Sequence, residues 1–232
     1  MSTPSAFPAA SPADPTPSQT VGPFFAFGLP FDGGSDVVPP ATPGAISVHG
    51  TVRDGAGAPI PDALLEFWQT GPDGRLPARP GSFHRDGRSF TGFARVPTDR
   101  AGEYAVRTLR PAAPAGSVDA PHIAVTVFAR GLLHHLFTRI YFPDHGGANA
   151  ADPLLASLDE DRRATLLAVP DDSVTGPGYR FDVRLQGPGE TVFLDLIAGD
   201  AAERSSTIDT GDAAERSSTI DTGRAPGGWG GA

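Results

Sequence analysis

Residues 121–144 read PHIAVTVFARGLLHHLFTRIYFPD. In the first half Ile123, Val125 and Val127 alternate with His122, Ala124 and Thr126, which is the two-residue period of a β-strand. In the second half Leu136, Thr138, Ile140 and Phe142 share one side, and His135, Phe137, Arg139 and Tyr141 share the other. The linker Ala129-Arg130-Gly131-Leu132 joins the two runs. Bulk on both sides predicts a central hairpin buried on both faces, not a strand with one wet face. The stretch also holds His122, His134 and His135, half of the 6 histidines, so a metal centre is sought here first.

Working outward, the same alternation recurs in Ile46–Val52, Ala63–Thr70, Phe90–Val96, Glu103–Leu109, Tyr179–Leu185 and Thr191–Leu196. Asp54–Gly57 and Thr98–Gly102 are turn signals between them. In Ala63–Thr70, Glu66 faces away from Leu65 and Phe67, and in Ile46–Val52, His49 reads as a solvent-facing residue. Residues 30–45 and the polar stretch 71–89 read as loops, the latter long enough to suggest a purpose. One helical stretch is expected over residues 151–169, with Asp159 as its N-cap and Leu158, Leu166 and Leu167 on its apolar side. Eight or so strands and a short helical excursion predict an all-β fold, a β-sandwich with helical excursions.

Composition narrows the chemistry. The 232 residues are ample for one core, and 29 Gly with 25 Pro are spread as turn punctuation. There is no cysteine, which excludes disulfides, a thiolate nucleophile and cysteine-held metals. There is no lysine, which excludes Schiff-base chemistry and a P-loop. A net charge of −9 argues against nucleic acid or an anionic membrane as partner. No secretory leader and no run of 18 apolar residues is visible, so a cytoplasmic location is expected.

The two ends read differently from the middle. Residues 1–19 are rich in Pro, Ser and Ala and are expected to be a flexible segment. They lead into an extended arm, TPSQTVGPFF at 16–25, whose adjacent Phe24 and Phe25 favour docking on another subunit. At the far end GDAAERSSTIDT (199–210) is repeated letter for letter at 211–222. One Ile per repeat cannot build a core, so residues 198–232 are expected to be a disordered tail and residues 20–197 the folded domain.

Four segments in order, TPSQTVGPFF (16–25), LLEFWQTGPDGR (64–75), APHIAVTVFARGLLHHLFTRIYFPD (120–144) and YRFDVRLQGPGETVFLDL (179–196), carry a resemblance. They resemble the intradiol ring-cleavage dioxygenases, and within them the alpha chains of heteromeric members that act on protocatechuate. The resemblance implies an alpha–beta heteromer that cleaves protocatechuate with O2 to 3-carboxy-cis,cis-muconate at a non-haem ferric iron. Catalytic chains of that family hold the iron with two tyrosinates and two histidines, hard anionic oxygens suiting Fe(III). At the matching positions this chain has Leu76 after Gly74-Arg75, Pro111-Ala112-Ala113-Pro114 with no tyrosine, and His122-Ile123-Ala124. Only His122 survives, so the ferric iron of the complex is expected in the partner beta chain and no metal or catalytic residue in this one.

The resemblance also implies that the alpha chain helps to wall the pocket of its partner. The matching residues are Thr20, Gly22, Pro23 and Phe24 in the arm and Arg130 in the hairpin linker. Arg130 suits the task independently, because protocatechuate is an anion and a guanidinium offers its carboxylate a charge-assisted bond. A solvated charge at a hairpin end is the alternative for Arg130, and a structural salt bridge is expected for Arg139. Tyr104, Tyr141 and Tyr179 all sit in strand patterns, where core or hydrogen-bonded roles are expected. His134 and His135 are neighbours and point to opposite faces on a strand, so they cannot share one metal. Two rival readings keep the fold: a homomeric enzyme with an atypical iron site, and a non-catalytic binding module.

Overall fold

The computed structural model describes residues 19–22, 24–77, 83–171, 176–195 and 204–205. Its chain order begins with a short helix α1 (Phe25–Gly28) and the strands β1 (Ile46–Arg53), β2 (Leu64–Gln69), β3 (Phe93–Pro97) and β4 (Glu103–Thr108). The hairpin follows as β5 (His122–Phe128) and β6 (Leu136–Tyr141), then helices α2 (Gly146–Ala151), α3 (Pro153–Ser157) and α4 (Glu160–Ala164). Short strands complete it: β7 (Val169–Pro170), β8 (Gly178–Arg180), β9 (Val183–Arg184), β10 (Leu194–Asp195) and β11 (Arg204–Ser205). Apart from β11, whose backbone pairs with β10, residues 196–232 lie outside the described residues, as do 1–18.

Two sheets form the sandwich. One runs β4-β1-β8-β7, with β9 also pairing with β1, and the other runs β11-β10-β6-β5-β2-β3. The hairpin read from residues 121–144 is central in the second sheet, its strands antiparallel with His122 opposite Tyr141 and Val127 opposite Leu136. Ile123, Val125, Val127 and Ile140 point into the main core with Leu65 and Phe67 of the neighbouring β2 and Val48, Val52 and Val106 of the facing sheet. The prediction of burial on both faces holds unevenly. Tyr141 and Phe137 on the other face of β6 belong to a second cluster with Leu154, Leu155, Leu158 and Leu166, so α3 and the turns around α4 cover that half of the sheet. On β5 the same face, His122 to Phe128, is only half-buried.

The single helical stretch expected over 151–169 is instead divided. Asp152 is extended and caps α3, with Pro153 at the first helical position, and Leu158 is extended again before Asp159 caps α4. Proline lacks an N–H and is tolerated at the first position only, which forces a fresh start there. The strand expected over 179–185 also splits, although its two halves lie parallel to β1 in one continuous register, Val48 opposite Tyr179 and Val52 opposite Val183. At the junction the chain passes so close that a Cβ on Gly50 would stand 1.9 Å from the Phe181 carbonyl oxygen. Gly50 therefore admits the crossing that any side chain would block.

The loop at 30–45 does more than connect. The Arg95 amide donates to the Gly34 carbonyl at 3.0 Å, the Arg107 amide donates to Ser35 at 2.9 Å, and the Val37 amide donates back to Arg107 at 2.9 Å. Arg95 lies on β3 and Arg107 on β4, which are the outer strands of the two sheets. Residues 34–37 thus strap the two sheet edges together and occupy backbone groups that would otherwise invite strand addition.

Candidate functional site

The half-buried face of β5 is where the positions compared above meet. Trp68 on β2 lies opposite Ala124 on β5, and His122 lies two residues along the same face. Trp68, Gln69, Thr70, Gly74, Arg75, Leu76, Pro114, Ala115, His122 and Ala124 line a cavity of about 410 Å³. Residues 70–76 and 112–115 form its rim and are stitched together. The Thr70 hydroxyl donates to the Ala112 carbonyl at 2.6 Å, the Ala112 amide donates to Gly71 at 3.2 Å, and the Ala115 amide donates to Gly74 at 2.9 Å. Gly74 has φ +73°, and a Cβ there would lie 2.5 Å from the Ala113 carbonyl oxygen, so only glycine lets the two rims approach. Beneath the rim, the Gln69 amide donates to the Leu109 carbonyl at 2.9 Å and its oxygen accepts from Thr108 at 2.6 Å.

His122 is held from behind. Its Nδ1 is 2.8 Å from the Ala120 carbonyl oxygen, and the Ala120 amide in turn donates to Asp152 Oδ2 at 2.8 Å. Burial pushes the His122 pKa below its ordinary value and Arg139 adds to this, against weaker opposite pulls from the Ala120 carbonyl, Asp119 and Asp152. A base whose folded pKa is depressed binds its proton more readily when unfolded. Stability due to His122 is therefore complete above its ordinary pKa of about 6.5 and falls as pH drops toward the folded value. His122→Gln is expected to shrink the loss of unfolding free energy between neutral and mildly acid pH in denaturant titrations. An unchanged loss would show that the ring is not buried as described.

The donor set does not fit ferric iron. Of the positions that hold iron in the family pattern, Leu76, Ala112, Ala113 and Ala124 offer no side-chain donor, which leaves the single imidazole of His122. The tyrosines are engaged elsewhere: Tyr104 donates to the Phe181 carbonyl at 2.6 Å, Tyr141 to Asp152 at 3.3 Å, and Tyr179 to Asp144 at 2.5 Å. Burial pushes the Tyr104 and Tyr141 phenols well above their ordinary range, the opposite of what a tyrosinate ligand needs. His135 packs edge-on against Phe137 with centroids 4.6 Å apart, as befits a structural residue. His49, read as solvent-facing, is half-buried and lies 3.2 Å from Asp171.

The arm and the hairpin linker come together at the other end of β5. The Thr20 hydroxyl oxygen accepts from the Gly131 amide at 3.2 Å, and Val21 joins Phe128, Ala129, Leu132 and His135 around a small cleft of about 110 Å³. Gly22 is exposed with open space around its Cα, and Pro23 lies outside the described residues. Phe24 and Phe27 are 78% and 79% exposed, which leaves two aromatic rings bare, one at the cap of α1 and one within it. Arg130 forms an ion pair through Nε with Asp62, a carboxylate distant in sequence and so without a local signal. The Arg130 side chain is still 60% exposed, and its terminal nitrogens have no partner among the described residues. Arg139 pairs with Asp119 at 3.7 Å, the structural role expected of it.

A family model described as Dioxygenase matches residues 34–187. The alpha chain of protocatechuate 3,4-dioxygenase from Burkholderia cepacia is 48% identical over 194 residues, covering 78% of this chain and 97% of that one. The chain belongs to the intradiol dioxygenase family. The beta chain of protocatechuate 3,4-dioxygenase from the same organism is 30% identical over 156 residues, covering 63% of this chain and 66% of that one. Among solved structures, the dioxygenase domain of a dioxygenase carbohydrate-binding protein fusion from Streptomyces sp. SirexAA-E is 29% identical with a TM-score of 0.50. The match covers 75% of this chain and 100% of that domain. The intradiol dioxygenase fold thus accounts for the sandwich, and the cavity under Trp68 brings together Leu76, Pro114, His122 and Ala124. No helix among the described residues is long and apolar enough to cross a membrane.

Proposed function

We propose that this chain is the iron-free alpha subunit of a protocatechuate 3,4-dioxygenase, with residues 20–197 carrying the role. It assembles with a beta chain that holds the ferric iron, and helps to wall the pocket in which protocatechuate is cleaved by O2. The observation that supports this most is the convergence of Leu76, Pro114, His122 and Ala124 on one cavity with a single donor among them. The likeness to an alpha chain across 97% of its length points the same way. Thr20, Gly22, Pro23, Phe24 and Arg130 are the residues assigned to the partner's pocket. The bare Phe24 and Phe27 rings give the arm an apolar surface to bury on that partner.

Ferric tyrosinate is coloured, so the chain purified alone is expected to be colourless and free of stoichiometric iron. Combined with a beta chain it is expected to yield a coloured complex that consumes O2 when protocatechuate is added. Iron at one per chain with a visible band in the chain alone would overturn the assignment. So would full activity of the beta chain without this subunit.

A further inference from the structure

β10 lies between β6 and β11, with Leu194 opposite Phe137 on one side and opposite Ser205 on the other. The strand that closes this edge, Arg204–Ser205, falls at the middle of the segment 199–210, which recurs letter for letter at 211–222. We propose that β10 is a docking edge with two interchangeable occupants in the same chain, Arg204–Ser205 of the first repeat and Arg216–Ser217 of the second.

Identity and distance together carry this reading. Five identical residues flank the pair on either side in both repeats, so no local preference tells the two copies apart. A repeat with one Ile cannot build a core, but a sheet edge asks only for backbone N–H and C=O groups, and both copies offer the same ones. Only the intervening loop differs: residues 196–203 for the first copy and 196–215 for the second, eight against twenty. Closure entropy grows with the logarithm of loop length, which favours the first copy by about fourfold. About one chain in five then holds the second copy. The spare copy also refills the edge whenever the first one leaves, before a foreign strand can pair there.

The inference needs this chain alone, so it stands or falls separately from the beta-chain partnership. The chain has no cysteine, so introduced pairs are read without interference. Residues directly opposite in an antiparallel pair are close enough for a disulfide, and Asp195 lies opposite Arg204. The full chain is prepared with Asp195→Cys and one further cysteine: Arg204→Cys, Arg216→Cys or Ala225→Cys, the last lying past both repeats. Disulfide formation is measured in a glutathione redox buffer by peptide mass. The Arg204→Cys pair is expected to exceed the Arg216→Cys pair by about fourfold. The Arg216→Cys pair is expected to exceed the Ala225→Cys pair by about tenfold or more, because seating raises the effective concentration. A tail that never seats its second copy gives less than about twofold between those two, since their loops differ little in length, and that result would overturn the proposal. Arg204→Pro with Ser205→Pro removes the ladder donor of the first copy, and is expected to raise the Arg216→Cys pair by about fivefold. No rise would overturn the proposal as well. So would disulfides between chains in place of those within one, because the repeat would then seat on a second copy.

Discussion

Asp152→Ala is expected to lower the unfolding free energy by about 3–5 kcal/mol, the range for stripping a buried carboxylate from its partners. Asp152 is fully buried and accepts three hydrogen bonds: from the Ala120 amide at 2.8 Å, the Leu155 amide at 3.0 Å and the Tyr141 hydroxyl at 3.3 Å. Alanine leaves those donors in a dry interior with nothing to bind, and removes the N-cap of α3 as well. For a domain of this size the loss corresponds to a melting temperature lower by roughly 6–20 °C. Asp152→Asn keeps one acceptor but turns an amide N–H toward other donors, so about half of the loss is expected. Circular dichroism melts of the full chain check this, and a shift of only a degree or two for alanine would mean that water replaces the carboxylate. The effect reaches the cavity too. Asp152 fixes the backbone of Ala120, whose carbonyl orients His122, so the substitution is expected to loosen the ring that lines the pocket.

The second large effect concerns Arg130 in the assembled enzyme. If its terminal nitrogens meet the substrate carboxylate, Arg130→Ala is expected to weaken protocatechuate by about 1.5–3 kcal/mol. That equals roughly 10- to 150-fold in the dissociation constant. Catechol lacks the carboxylate and is expected to lose little, and iron content is expected to stay the same. Asp62 gives the prediction a finer edge. Its carboxylate holds Nε and leaves the two terminal nitrogens without a partner among the described residues, so Asp62→Asn is expected to cost protocatechuate part of the same affinity. Arg130→Lys is expected to recover a fraction, because an ammonium is a point charge and not a fork. Binding and steady-state assays with both substrates decide the matter. Equal losses for protocatechuate and catechol would mean that the subunit contact had been damaged, and the role of Arg130 would fall.

The central hairpin was legible because its signal is local: alternation fixes which residues share a face, and bulk on both faces fixes a central place in the sheet. Glu66 was legible for the same reason, facing away from Leu65 and Phe67, and the structure gives it Arg95 at 2.6 Å. The missing ligands at Leu76, Pro111–Pro114 and Ala124 were readable one by one, whereas their meeting in one cavity depends on rims more than 30 residues apart. That separation is also why Asp62 was missed as the partner of Arg130, and Asp171 as the partner of His49. Asp152 was missed although a local signal existed, since Asp followed by Pro marks a cap and first helical position. The apolar leucines that continue past it suggested one helix, and the extended residues at 152 and 158 break that period. The parallel pairing of β1 with β8 and β9 left no trace in either segment, because alternation does not say which strand lies beside which.

That pairing sets a timetable for synthesis. The Thr51 amide reaches Asp182 Oδ1 at 3.0 Å across 131 residues of sequence. At ordinary translation rates of about 5–20 residues per second, that span takes roughly 7–26 s to emerge. β4 arrives early and shelters one side of β1, but the side that awaits residues 178–184 stays bare for the whole interval. A ribosome stalled before Gly178 therefore leaves a nascent chain with an apolar strand open along one edge, a natural client for a holding chaperone. Codons that pause late in this message would lengthen the exposure, while those that pause before β1 would not.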